Sequence, residues 1–290
     1  MKKILVPVDF SENTNNAVKA ACDLSRALNC DIILFYSYFE MILMQSINIT
    51  SSMESVPIID PDITNILHER NEKEMKKWVS FIKSEYPNIS VEAIVSPVEL
   101  KEKIIEICEN EDILMIVMSA TGTGKKDSFS GSAASSLFDS TPAPIIAIPE
   151  NYVYQDDALF RNILYATDFS DVAQDEIQFI SDHFLGNVNR LYCCHLSFRG
   201  KEISEAVVKM EDLKNAFLAE EEIGKIVFKI IETNDVEEAL EELTDDKEIG
   251  LISFHEHDRN IFYRFFHRSV IKKNIYRFNI PLLVFRKFES

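Results

Sequence analysis

"KILVPVDFS" at residues 3–11 and "NILYATDFS" at residues 162–170 repeat one phrase, with Ile, Leu, Asp, Phe and Ser matching at a constant offset of 159. Each is a short apolar run that ends in Asp-Phe-Ser and passes into a helical stretch. The closing runs correspond as well, "APIIAIP" (143–149) with "IPLLVF" (280–285). Between these landmarks the order is shared: 32–38 answers to 188–196, 90–95 to 225–231, and 113–119 to 250–254. Self-similarity over half a chain is the mark of an internal duplication. It predicts two domains, residues 1–150 and 160–290, divided near the polar stretch "ENYVYQDDALF" (150–160).

Each half alternates strand and helix patterns. "TNNAVKAACDLSRAL" sets Ala17, Ala20, Ala21, Leu24 and Leu28 on one helical face, and "EMKKWVSFIKS" does the same with Met75, Trp78, Val79 and Ile82. The lone Trp78 is thus expected in the core. Runs such as "CDIILFYSY" and "DILMIVM" are apolar on both faces, as in a parallel sheet covered by helices on both sides. The fold class is therefore α/β, two doubly wound parallel-sheet domains of five strands each. The Ser- and Pro-rich segment 45–62 has no counterpart of that length in the second half and reads as a long insertion before a helix.

Composition bounds the function. Of 290 residues, 46% are hydrophobic and 27% charged, as in ordinary globular domains. The longest apolar stretch, "IILFYSYFEMILM", contains Ser37 and Glu40 and is too short for a membrane span. The opening "MKKILVPVDF" meets an acid too early for a secretory signal. Five cysteines without a C-x-x-C point to a reducing cytoplasm, with Cys193 and Cys194 as small core-strand residues. A net charge of −18 disfavours nucleic acid and anionic membrane as partners. The segment 259–288 has eight Lys/Arg and no acid. Arg264, Arg268 and Lys272 form one helical stripe there, read mainly as a solvated face and otherwise as a contact for an anionic ligand or acidic partner.

"MSATGTGKKDSFSGSAAS" (118–135) follows an apolar strand and is rich in glycine. A Walker A loop fails at both ends, since Ser119 stands at its first glycine and Lys126 at its hydroxyl. A G-x-G-x-x-G fails at Asp127. Glycine-rich backbone before a helix start at Gly131-Ser132 still offers N–H groups to an anion. The alternative is a turn with Ser132 as N-cap.

Taken together, "ILVPVDFSENTNNAVKAA" and "IVMSATG…GSAAS…APIIAIP" resemble the universal stress protein family in its tandem two-domain form. The likeness spans nearly the whole chain and is clearer in residues 1–149. It implies a strand order of 3-2-1-4-5 in each domain, with a ligand crevice where that order reverses. It also implies a pseudo-dimer of the two halves through "APIIAIP" and "IPLLVF", and leaves room for a homodimer. ATP-binding members carry G-x2-G-x9-G-[ST] after strand four. Here Ser119 replaces the first glycine, Gly122 and Gly131-Ser132 are kept, and the loop between them is one residue short. The resemblance would place Pro7 and Asp9 by the adenosine and any metal, and the Ser37 backbone by the adenine. Met118, Ser119 and Gly122 would line the ribose, and the N–H groups of Gly131, Ser132 and Ala133 would hold phosphate. The cofactor implied is ATP or AMP, with Mg²⁺ in the case of ATP.

The second half keeps Asp168 but has no glycine at any of the three motif positions; His267, Arg268 and Ser269 stand near the last. No nucleotide is expected there. "HEHD" (255–258) invites a metal, since His255 and His257 share one side of an extended chain, but two ligands do not make a tight site, and His267 is the obvious third. A polar loop is the preferred reading, with no metal site. The expected function is a stress-response regulator that binds an adenine nucleotide in its first domain only. It has no catalytic residues, hydrolyses ATP slowly at most, and contacts an unidentified protein partner. The alternative is a nucleotide-free scaffold, or a binder of another small ligand, acting through protein contacts.

Overall fold

The computed structural model describes residues 1–43, 61–120, 137, 141–149, 152–198, 203–255 and 279–286. The chain divides into two compact units, Met1–Ala143 and Pro144–Ser290. The architecture is α/β with a predominantly parallel sheet. Among the described residues no helix is long and apolar enough to cross a membrane.

In the first unit, strands β1 (Lys3–Pro7), β2 (Asp31–Ser37), β3 (Val91–Ser96) and β4 (Ile113–Ser119) lie in the order β3-β2-β1-β4, all pairs parallel. Helices α1 (Glu12–Leu28), α2 (Pro61–Glu85) and α3 (Leu100–Asn110) make the crossovers. The apolar runs become the central strands because both of their faces are covered: Ile4, Leu5, Val6, Ile32 to Phe35, and Met115 to Val117 are fully buried. On α1 the small residues Ala17, Ala20 and Ala21 are equally buried and let the helix lie close to the sheet. Trp78 departs from expectation. It is half-buried, its ring centroid 6.4 Å from that of Phe10, because the core side of α2 is taken by Met75 and Ile82.

In the second unit, β5 (Ile145–Ile148), β6 (Asn162–Ala166), β7 (Arg190–Phe198), β8 (Ile226–Thr233), β9 (Ile249–His255) and β10 (Leu282–Phe285) lie in the order β5-β10-β9-β6-β7-β8. Helices α4 (Ala173–Phe184), α5 (Ser204–Ala216), α6 (Leu218–Glu222) and α7 (Val236–Asp246) accompany them. β5 is grouped here because it pairs antiparallel with β10, with Ile146 opposite Leu283. Thus "APIIAIP" does lie beside "IPLLVF". Gly250 admits no side chain, since a Cβ there would sit 1.9 Å from the Ala158 carbonyl oxygen in the 3-10 turn Ala158–Phe160.

The outer strands carry charge. β3 exposes Glu92, which pairs with Lys3 at 3.2 Å, and β8 exposes Lys229 and Glu232. All five cysteines are free thiols. Burial pushes the Cys22, Cys108 and Cys194 thiols up to about 12, which leaves them protonated and inert.

Candidate functional site

The order β3-β2-β1-β4 reverses direction at β1, so the C-terminal ends of β1, β2 and β4 frame a crevice in the first unit. Pro7 ends β1, Ser37 ends β2, and Met118 and Ser119 end β4, so the fold brings these four together with Asp9 just beyond. Gly122, Gly131, Ser132 and Ala133 lie outside the described residues.

The strand pairing at that crevice turns on one missing proton. Lys3 N–H donates to the Asp112 carbonyl on the β4 side, and Val8 N–H donates to the Phe35 carbonyl on the β2 side. Alternation along the strand then aims the nitrogen of residue 7 at β4. Residue 7 is proline, which has no N–H to give. The β1–β2 ladder accordingly runs to Pro7↔Phe35, whereas the β1–β4 ladder stops at Leu5↔Ile116. Met118 and Ser119 extend past the last pair. The same alternation turns the Ser37 backbone toward β1. Its hydroxyl donates instead to the Val98 carbonyl at 2.6 Å.

The turn above β1 is held by Asp9. Its Oδ1 accepts from the Ser11 N–H at 3.0 Å, from the Ser11 hydroxyl at 2.6 Å and from the Thr14 hydroxyl. Ser11 caps α1. Between them Phe10 adopts φ 60°, a left-handed conformation uncommon for a bulky residue, and its ring lies on Tyr36 at 4.4 Å. Such residues concentrate at binding sites, where the fold compels them. Asp9 Oδ1 therefore shapes the loop.

The second unit repeats this frame. Phe169 has φ 64° and lies on His195 at 4.4 Å, Thr167 N–H donates to the Cys194 carbonyl, and Asp168 Oδ1 accepts from Ser170 N–H. The pairing of β6 with β9 carries a register shift after its first pair, at Asn162/Ile163, and that of β1 with β4 carries one at Lys3/Ile4. The ends differ. Ala166 stands where the first unit has Pro7, and the β6–β9 ladder continues to Ala166↔Phe254.

Beneath that closed end lies a buried polar cluster. Tyr165 hydroxyl donates to Glu176 Oε2 at 2.6 Å, and His255 Nδ1 lies 2.5 Å from Glu176 Oε1. Glu176 is 4% and His255 3% exposed. Burial raises the Glu176 carboxyl above the usual carboxylate range, against the hydrogen bonds from His255 and Tyr165 that pull it down. Burial, with Glu176 beside it, drives the Tyr165 hydroxyl well above its ordinary range. Sequence reasoning missed this cluster. Its signal was available in the repeat, since Tyr165 answers to Val6 and Glu176 to Ala17 at the offset of 159, and His255 to Ser119 at the end of the matching strand. His255 is turned inward to Glu176; Glu256, His257, Asp258 and His267 lie outside the described residues. Among the described residues no group of three His, Cys, Asp or Glu is placed to hold a metal ion.

Residues 1–149 match the model of the universal stress protein family. No curated protein matches the chain. Among solved structures, a universal stress protein from Archaeoglobus fulgidus DSM 4304 is similar over 98% of both chains at 16% identity and a TM-score of 0.61. A functionally unknown protein from Pseudomonas aeruginosa PAO1 is similar over 99% of this chain and 92% of its own, at 10% identity and a TM-score of 0.56. At these identities the likeness is one of fold.

Proposed function

This chain belongs to the universal stress protein family, and on that premise we propose that its first unit binds an adenine nucleotide and its second does not. Family membership supports a stress-response role. The observation that carries the finer reading is the contrast at the two strand ends. The β1–β4 ladder stops at Leu5↔Ile116, leaving the strand end beside Pro7 unpaired at the switch point, whereas the β6–β9 ladder runs on through Ala166↔Phe254. Pro7, Asp9, Ser37, Met118 and Ser119 lie at that end of the sheet, and the glycine motif that follows β4 in the sequence would offer backbone N–H groups to phosphate at Gly131, Ser132 and Ala133. A Mg²⁺ ion would accompany ATP. The protein works as a nucleotide-bound regulator in the cytoplasm, with slow hydrolysis at most.

Two departures set the affinity. Ser119 adds a side chain where glycine would let a nucleotide approach, and the short loop displaces donors aimed at phosphate. Losing one or two charge-assisted hydrogen bonds, each about 1.5–3 kcal/mol, weakens binding by roughly tenfold to a few thousandfold. Lys125 and Lys126 compensate in part, less well than fixed backbone donors. Ser119→Gly with one residue inserted before Gly131 should therefore tighten binding.

The test is to denature the purified protein and assay the supernatant for nucleotide, then titrate the stripped protein with ATP and AMP by calorimetry. Near-equimolar release, lost in Gly131→Trp and retained in Arg268→Ala, supports the reading. No release and no heat would replace it with the nucleotide-free scaffold. Repeated turnover of phosphate would replace it with an enzyme.

A further inference from the structure

We infer that Tyr165, Glu176 and His255 form a proton-holding clasp that ties α4 to the ends of β6 and β9, so that the second unit loosens as pH rises while the first does not.

The geometry is that of a built cluster. Two side chains, from β6 and β9, converge on the carboxyl group that Glu176 presents from α4, with both of its oxygens engaged. At the corresponding places the first unit has Val6 and Ala17, both fully buried, and Ser119, so nothing there titrates. A carboxyl buried to this degree must be neutralised by a partner or by its own proton. One proton shared by Glu176 and His255 makes the pair neutral, whichever atom carries it; without that proton a net negative charge remains in the interior.

The surroundings work in the same direction. Tyr165 donates its O–H and remains protonated. Cys193, on β7 behind Tyr165, is wholly buried with its thiol driven up, and so is neutral. Asp168, on the loop above β6, opposes further negative charge on Glu176. Asp175 adds another carboxylate on α4 itself. On α5, Lys209 lies within electrostatic reach of Asp168 and Asp171 but pairs with Glu205 at 2.8 Å. Ser253, two residues before His255, is fully buried and uncharged.

The sign follows from counting protons. In the unfolded chain the carboxyl ionises first, and the histidine loses its proton near about pH 6.5. The folded pair keeps its proton through that point. Its stabilisation is therefore complete below about pH 6.5 and is lost as pH rises toward the pair's own ionisation. Over that window the opening constant of the second unit grows by up to tenfold per pH unit, the limit for one linked proton.

The experiment uses the full chain. Hydrogen exchange, corrected for intrinsic rates, is followed between about pH 6 and 9 in peptides covering α4 and β9, and in α1 and β4 as the internal reference. Protection should fall by up to tenfold per pH unit in the first pair and stay level in the second. Glu176→Gln, which cannot take up a proton, should abolish the slope. In parallel, nitrogen NMR of the His255 ring in the wild-type protein reads the proton directly, and decides the matter even if the variant fails to fold. The expected result is a ring whose nitrogens do not change state near about pH 6.5, where an unperturbed histidine would. A His255 ring that titrates there, or protection that is flat with pH in α4 and β9, overturns the clasp.

Discussion

The strand pairs β1–β4 and β6–β9 begin alike and end differently. Both carry a register shift after the first pair, both are followed by a phenylalanine in left-handed backbone, and both stack that ring on the neighbouring strand. At the top, Pro7 has no N–H to give and the first ladder stops at Leu5↔Ile116, while Ala166 keeps its N–H and the second runs on to Ala166↔Phe254, beside Tyr165, Glu176 and His255. The lesson is that the end of a strand pair can change while the rest of the sheet stays the same. One imino acid separates a ladder that stops from one that continues.

The largest expected effect is on the closed end. His255→Ala leaves Glu176 buried without its partner and should cost the second unit about 3–5 kcal/mol. Circular dichroism in urea would show the loss, while fluorescence of Trp78, the sole tryptophan and a first-unit residue, keeps its transition. A loss under about 1 kcal/mol would mean the pair is not sealed from water. Ala166→Pro should reproduce the open end in the second unit. It removes a ladder donor and leaves a buried carbonyl unsatisfied, at a cost of about 1–3 kcal/mol. An unchanged urea midpoint would break the claim that this N–H closes the ladder. The reverse change, Pro7→Ala, should extend the β1–β4 ladder, gain about 1 kcal/mol, and weaken nucleotide binding by tying the two strand ends together. Rapid exchange at the new residue-7 amide would show that no bond forms. Smallest is Ser253→Ala. The Ser253 hydroxyl is buried without a hydrogen-bond partner among the described residues, so its removal should stabilise the second unit by about 1 kcal/mol or less, read as a rise in thermal midpoint. Destabilisation would show that the hydroxyl is engaged by the clasp.

Much of the fold could be read from apolar runs, since strands buried on both faces announce themselves, and the repeat at offset 159 set the two halves in one order, strand against counterpart. The grouping of β5 with β10 was legible only as a likeness between "APIIAIP" and "IPLLVF". The place of Pro7, Asp9, Ser37, Met118 and Ser119 at one sheet end was also legible, because strand ends follow from strand order. The effect of Pro7 on β4 was not, because it depends on which neighbour each N–H faces. The clasp escaped because its members lie 11 and 79 residues from Glu176 in the chain. No local pattern joins them, and "HEHD" was read as a polar loop, whereas His255 is buried at the end of β9 with a helix carboxyl as its partner. Trp78 was read as core from helical spacing, yet that face is wide enough for Met75 and Ile82 to fill its centre and leave Trp78 at the margin beside Phe10.

The charges on the outer strands bear on the protein's life at high concentration. Val91–Ser96 and Ile226–Thr233 are rich in β-branched residues, the kind of segment that can template a further strand and seed fibrils. Glu92 on one, and Lys229 and Glu232 on the other, would each be dragged into a dry seam by such an addition, at a cost that grows with every copy stacked. These residues act as gatekeepers. Replacing them by threonine would leave each unit folded and make the solution prone to gelling on storage.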